Sequence, residues 1–111
     1  MPRGIGLMGG HVCIVIFLFV SLTVPASVLA QVNAVATFPV LADFVAAVGG
    51  ELVTVKSLVP FGGDPHGWEP TPQDARMIAD ADVVFCNGLG LETWVERLLQ
   101  NAANDRVGIV T

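Results

Sequence analysis

Basic side chains are scarce: five Lys and Arg stand against ten Asp and Glu among 111 residues, giving a net charge of −5 at pH 7. A phosphate backbone needs a basic face, so nucleic acid is not expected as a partner. Charged residues make up only 14% of the chain and hydrophobic ones 53%, a balance that is neither disordered nor collagen-like. At this length at most one domain fits, which excludes a complete multidomain enzyme. Cysteine is scarce too. Cys13 and Cys86 allow one disulfide at most, and only if both survive processing.

An apolar run long enough to cross a bilayer is also missing. The longest candidate, Val12 to Val24 (VCIVIFLFVSLTV), has eleven apolar members among thirteen and ends at Pro25, whereas a spanning helix needs about 20. Arg3 is the only charge before Asp43, and Val28-Leu29-Ala30 offers small or short residues at an exit site. A positive start, a short apolar core and such a site describe a secretory signal, so residues 1–30 are expected to be a cleavable signal peptide cut after Ala30. Cys13 lies inside or before the apolar core and not at the cleavage point, so no lipid anchor is expected.

Residues 31–111 keep ten acids, four bases, one histidine (His66) and one cysteine (Cys86). With no partner for a disulfide, Cys86 reads as a buried thiol in the strand-like run Asp82 to Cys86, where free cysteine behaves as a small hydrophobe. Strand and helix signals alternate through this part. Val32 to Thr37, Leu52 to Val59, Val83 to Cys86 and Val107 to Val110 read as strands. Leu41, Phe44, Val45 and Val48 recur at helical spacing behind Pro39 and ahead of Gly49-Gly50. Thr71-Pro72-Gln73-Asp74 carries a cap, a proline at the first helical position and an acid three residues after the cap, predicting a helix to about Ala81. Leu91, Trp94, Val95, Leu98 and Ala102 mark one face of a further helix. The expected class is therefore α/β, a parallel sheet with helices packed on it. A core this small is marginal, and the run Val107 to Thr111 looks cut rather than finished.

One connection stands apart. Pro60 to Pro70 (PFGGDPHGWEP) holds three prolines and three glycines among eleven residues, stiff where proline fixes φ and bent where glycine permits it. It leaves the carboxyl end of a strand, the edge where open α/β sheets place ligands. His66 follows Pro65, so its imidazole is presented by a defined segment and suits Zn, Mn or Fe. The bland reading is a solvated loop histidine. Asp64 and Glu69 read either as acceptors orienting the ring or as solvated charges, Trp68 as a lid over the loop, and Thr71 and Asp74 as helix caps. Asn87 to Gly90 (NGLG) lacks the third glycine of a phosphate loop and reads as a tight strand-to-helix turn. A thiol enzyme built on Cys86 and His66 lacks a third orienting group.

Five stretches follow one another in order: Ala36 to Val45 (ATFPVLADFV), Val48 to Gly50 (VGG), Ser57 to Val59 (SLV), Gly63 to Ala75 (GDPHGWEPTPQDA) and Ala81 to Glu92 (ADVVFCNGLGLE). Together they resemble the amino-terminal lobe of the zinc/manganese-type solute-binding proteins of ABC transporters, a family that includes metal-binding streptococcal surface adhesins. The resemblance covers nearly all of residues 33–101, and the Asp-Pro-His-x-x-Glu-Pro-Thr-Pro stretch is its most specific part; Trp68 stands, as a mild departure, at the second position after the histidine, where the family often has tyrosine or another aromatic. It implies a four-stranded parallel sheet in the order 2-1-3-4, with helices on both faces, and residues 31–111 as a partial amino-terminal metal-binding lobe. It also implies His66 as a metal ligand, with the remaining ligands in later sequence. The implied function is a non-catalytic, monomeric, periplasmic or otherwise extracytoplasmic receptor. Such a receptor passes a divalent ion, Zn or Mn with Fe as a further candidate, to a membrane permease. The alternatives are a lobe for haem or a chelated metal, and a small exported thiol or acid-base enzyme.

Overall fold

The computed structural model describes residues 29–111. The expected signal core Val12 to Val24 lies outside the described residues, and of the expected exit site only Leu29 and Ala30 fall within them.

Strand β1 (Val32–Ala36) leads through helix α1 (Pro39–Gly49) and a 3-10 turn (Gly50–Leu52) to β2 (Val53–Ser57). Helix α2 (Pro72–Ala79), β3 (Val83–Phe85), α3 (Val95–Asn101) and β4 (Gly108–Val110) complete the order. The sheet runs β2-β1-β3-β4, every neighbouring pair parallel, the order the family resemblance implied. The β1–β2 pairing continues beyond both strands, with the Leu58 amide donating to the Ala36 carbonyl at 2.9 Å and that of Val59 to Thr37 at 3.0 Å.

Side chains alternate between the two faces of a strand, and the register shows what covers each. Val35 and Val84, partners across β1 and β3, join Ile78 of α2 and Val95 and Leu98 of α3 in the hydrophobic core. Ile78, Val84 and Val59 are fully buried there, each such side chain contributing about 1.5–3 kcal/mol. Among the described residues the other face is covered by α1 alone. Leu41, Phe44, Val45 and Val48 of that helix and Val32, Val53, Val83 and Phe85 of the strands line an open apolar cleft.

The bounds of two helices depart from the sequence expectations, and a third feature, the cover over α1, is one that spacing does not address. The stripe on α1 is not a buried face: no residue of the helix is fully buried, and Phe44 is 65% and Val48 91% exposed. Helix α1 contacts β1 and β2, and among the described residues no second helix lies beside it over β3 and β4. Helix α2 stops at Ala79, short of Ala81, because the Asn104 side chain takes the carbonyls of Ile78 at 2.9 Å and Ala81 at 3.0 Å. Helix α3 begins later than its apolar spacing suggested, since Trp94 is its N-cap and Leu91 belongs to the turn before it.

Candidate metal site

The Pro60 to Pro70 loop leaves the carboxyl edge of β2. Its root is fixed by the burial of Leu58 and Val59 and by a turn in which the Gly63 amide donates to the Pro60 carbonyl at 2.9 Å. The Asp64 carboxylate then accepts the backbone N–H of His66 at 2.9 Å, closing a short turn around Pro65. A Cβ on Gly67 would stand 3.1 Å from the same carboxylate, so glycine is what lets the chain fold so closely over Asp64. His66 itself is exposed at the head of this turn.

Both tryptophans of the chain tie the loop to the helices behind it. The Trp94 indole N–H donates to the Pro65 carbonyl at 2.7 Å, and the Trp68 indole N–H to Asp74 at 3.3 Å. Asp74 is buried and also accepts the backbone N–H of Thr71 at 2.8 Å and its hydroxyl at 3.0 Å, while Thr71 accepts the Asp74 amide at 3.3 Å. The capping box expected at Thr71 is therefore present, and its acid does double duty as the anchor of the loop. Trp68 is half-buried against the core, which makes it an anchor and not a lid. Asp64 engages the backbone of His66, so the structure does not bear out the reading of it as a ring-orienting acceptor.

The neighbouring edge of the sheet holds a group that sequence reasoning missed. Glu92 is buried and accepts from the Thr37 hydroxyl at 2.5 Å and from the amides of Asn87 at 2.8 Å and Gly88 at 3.0 Å. Thr37 ends β1 and Asn87 follows β3, so one carboxylate joins the two strands where the chain departs to opposite faces. The turn it holds runs through positive φ at Gly88 (71°), Leu89 (56°) and Gly90 (80°), a conformation that only the glycines adopt without strain. The amides a phosphate loop would offer an anion are thus already occupied, in keeping with the tight-turn reading. An acid inside an apolar stretch, just after Asn-Gly-x-Gly, was the available signal.

Cys86 is buried and free. Burial first, and the negative charge of Glu92 second, push its thiol from 9.0 up to about 11, so at neutral pH it is not a nucleophile. This environment lends no support to the thiol-enzyme alternative. Among the described residues no three His, Cys, Asp or Glu side chains converge as a metal cage; His66 stands as one exposed imidazole on a braced loop.

Residues 34–111 match the family described as zinc-uptake complex component A periplasmic, ZnuA. The manganese-binding lipoprotein MntA of Halalkalibacterium halodurans is 43% identical over 70 residues, covering 63% of this chain and 23% of that protein. The iron ABC transporter substrate-binding lipoprotein MtsA of Streptococcus pyogenes serotype M1 is 40% identical over 76 residues, covering 65% and 24%. Among solved structures, a crystal structure of ZnuA superposes with a TM-score of 0.68 at 31% identity, covering 73% of this chain and 31% of that one. The Zn(II)-bound ZnuA-like domain of Streptococcus pneumoniae AdcA superposes at 0.66 and 30% identity, covering 74% and 31%. The chain spans about a quarter of the length of the curated relatives it matches. On the match over residues 34–111, the strand order and these likenesses, the chain belongs to the ZnuA family of periplasmic zinc-uptake components.

Proposed function

We propose that this chain forms the first metal-holding lobe of an extracytoplasmic substrate-binding protein, with His66 as a ligand, that captures a divalent metal ion and passes it to an ABC permease. The ion is Zn or Mn, with Fe as a further candidate, because neutral imidazole serves all three. The protein acts by binding and release, as a monomer, with no catalytic step and no nucleic-acid partner. The observation that carries the reading is an exposed imidazole on a loop anchored to two helices, Pro65 to Trp94 and Trp68 to Asp74. The names of the relatives, manganese-binding and iron ABC transporter substrate-binding lipoproteins, support the same class of cargo. Residues 1–30 are proposed as the cleaved export signal, which places the mature lobe outside the cytoplasm.

Calorimetric titration with zinc at neutral pH tests the ligand. A single imidazole does not fill a coordination shell that normally takes four or more donors, so the chain is expected to bind Zn²⁺ more weakly than about 1 μM. Substituting His66→Ala is expected to abolish that binding, as is acidification, since protons compete for the ring nitrogen. Binding left unchanged by His66→Ala overturns the assignment.

A further inference from the structure

We propose that Trp94 is a positioning residue for the metal site: its indole N–H holds the Pro65 carbonyl and so fixes the imidazole of His66 before any metal arrives. This rests on the reading of His66 as a ligand.

Trp94 lies 29 positions from Pro65 in sequence, yet its N–H donates to that carbonyl at 2.7 Å, well inside the ordinary range for such a bond. The ring is 9% exposed and packs in the core with Val95 and Leu98 of α3, so the donor is held by the body of the protein and not by the loop. The bond lands on the residue immediately before His66. Pro65 has a restricted φ and no N–H of its own, and its carbonyl is the handle by which the fold can grip the turn. On the other side of His66, Trp68 is tied to Asp74 at the start of α2. The two bonds flank His66 along the chain, one reaching it from each of the two helices that cover one face of the sheet. Tryptophan is the one apolar side chain that fills a core site and still carries a fixed donor. Phenylalanine at position 94 would supply the packing and lose the grip. A ligand held this way meets the metal without first ordering its backbone, an entropic cost otherwise borne by binding.

The experiment replaces Trp94 with 3-benzothienylalanine, which keeps the fused rings and exchanges the N–H for sulfur, with Trp94→Phe as a second variant. Zinc chloride is titrated while the His66 ring resonances are followed by NMR, and backbone ¹⁵N order parameters are measured without metal. In the unsubstituted chain His66 is expected to be as ordered as helix α3, near 0.85. With the N–H gone, the order parameter at His66 is expected to fall below about 0.6 while that of α3 holds. The zinc dissociation constant is expected to rise about five-fold, the effect of one neutral hydrogen bond. If either the order at His66 or the zinc affinity is retained in the benzothienyl protein, Trp94 is only a packing residue and the proposal fails. Should either variant not fold, exchange of the Trp94 indole proton in the unsubstituted chain decides: exchange as fast as in free indole overturns the grip. A parallel titration of His66→Ala separates the two claims. If His66→Ala leaves zinc binding intact, the metal reading fails whatever Trp94 does to the loop.

Discussion

Glu92 is the residue on which the carboxyl edge of the sheet depends most. Its carboxylate is buried and serves three donors, from Thr37, Asn87 and Gly88. Truncation by Glu92→Ala leaves those donors unpaired inside the protein, each at a cost of about 1–3 kcal/mol before relaxation or water entry. A net loss of at least about 3 kcal/mol is expected in urea denaturation, against total stabilities of about 5–15 kcal/mol for ordinary domains. Glu92→Gln keeps the shape but turns an acceptor oxygen into an NH₂ donor facing a donor, so it is expected to lose less, though still measurably. Cys86 offers a test in pH. Its thiol is raised from 9.0 to about 11 in the folded protein, so the fold holds this proton more tightly than the unfolded chain does. The stabilisation is therefore complete below pH 9 and lost as pH climbs toward 11. Alkylation of Cys86 by iodoacetamide should be slow at pH 8 in native protein and fast in urea; equal rates would contradict the burial.

At the scale of elements, the α2 start shows how a local motif and a distant contact share one atom. Thr71→Ala removes the cap bond from the Asp74 amide and the hydroxyl's bond to the Asp74 carboxylate, and is expected to cost about 1 kcal/mol. Asp74→Ala is expected to cost more, because the same carboxylate also holds the backbone N–H and hydroxyl of Thr71 and the Trp68 indole. Chemical denaturation of the two variants ranks them, and equal losses would mean that neither the Trp68 bond nor the bond from the Thr71 backbone N–H contributes. The capping box was legible in the sequence because its partners sit three residues apart. So were the four strands, from their Val-rich runs, and the turn at Asn87 to Gly90. Their order came from the family resemblance, since alternating strands and helices alone do not say which strand lies beside which. The bonds from Trp94 to Pro65 and from Thr37 to Glu92 join residues 29 and 55 positions apart, and no local pattern announces them. His66 was singled out by the proline and glycine around it. What braces it came only from the packing of α2 and α3 behind the loop.

Across the described residues as a whole the two faces of the sheet are unequal. Helices α2 and α3 close one face into a core, while the other carries α1 beside the open cleft lined by Val32, Phe44, Val48, Val83 and Phe85. Period-3.6 spacing predicted that α1 has an apolar stripe, and it has one; spacing does not say whether the stripe is covered, because coverage depends on what lies over β3 and β4. Phe44 at 65% exposure and Val48 at 91% contribute little to the stability of the described fold, and exposed positions of this kind usually tolerate substitution within about 0.5 kcal/mol. They do offer water a contiguous apolar surface, the kind that binds hydrophobic dyes and drives aggregation. The double variant Phe44→Lys with Val48→Lys is therefore expected to melt within a few degrees of the parent. It should also bind less anilinonaphthalene sulfonate and stay soluble at higher concentration. Scanning calorimetry alongside dye fluorescence makes the check. A large drop in melting temperature would show that these side chains are packed in solution, and that the α1 face is closed where the structure has it open.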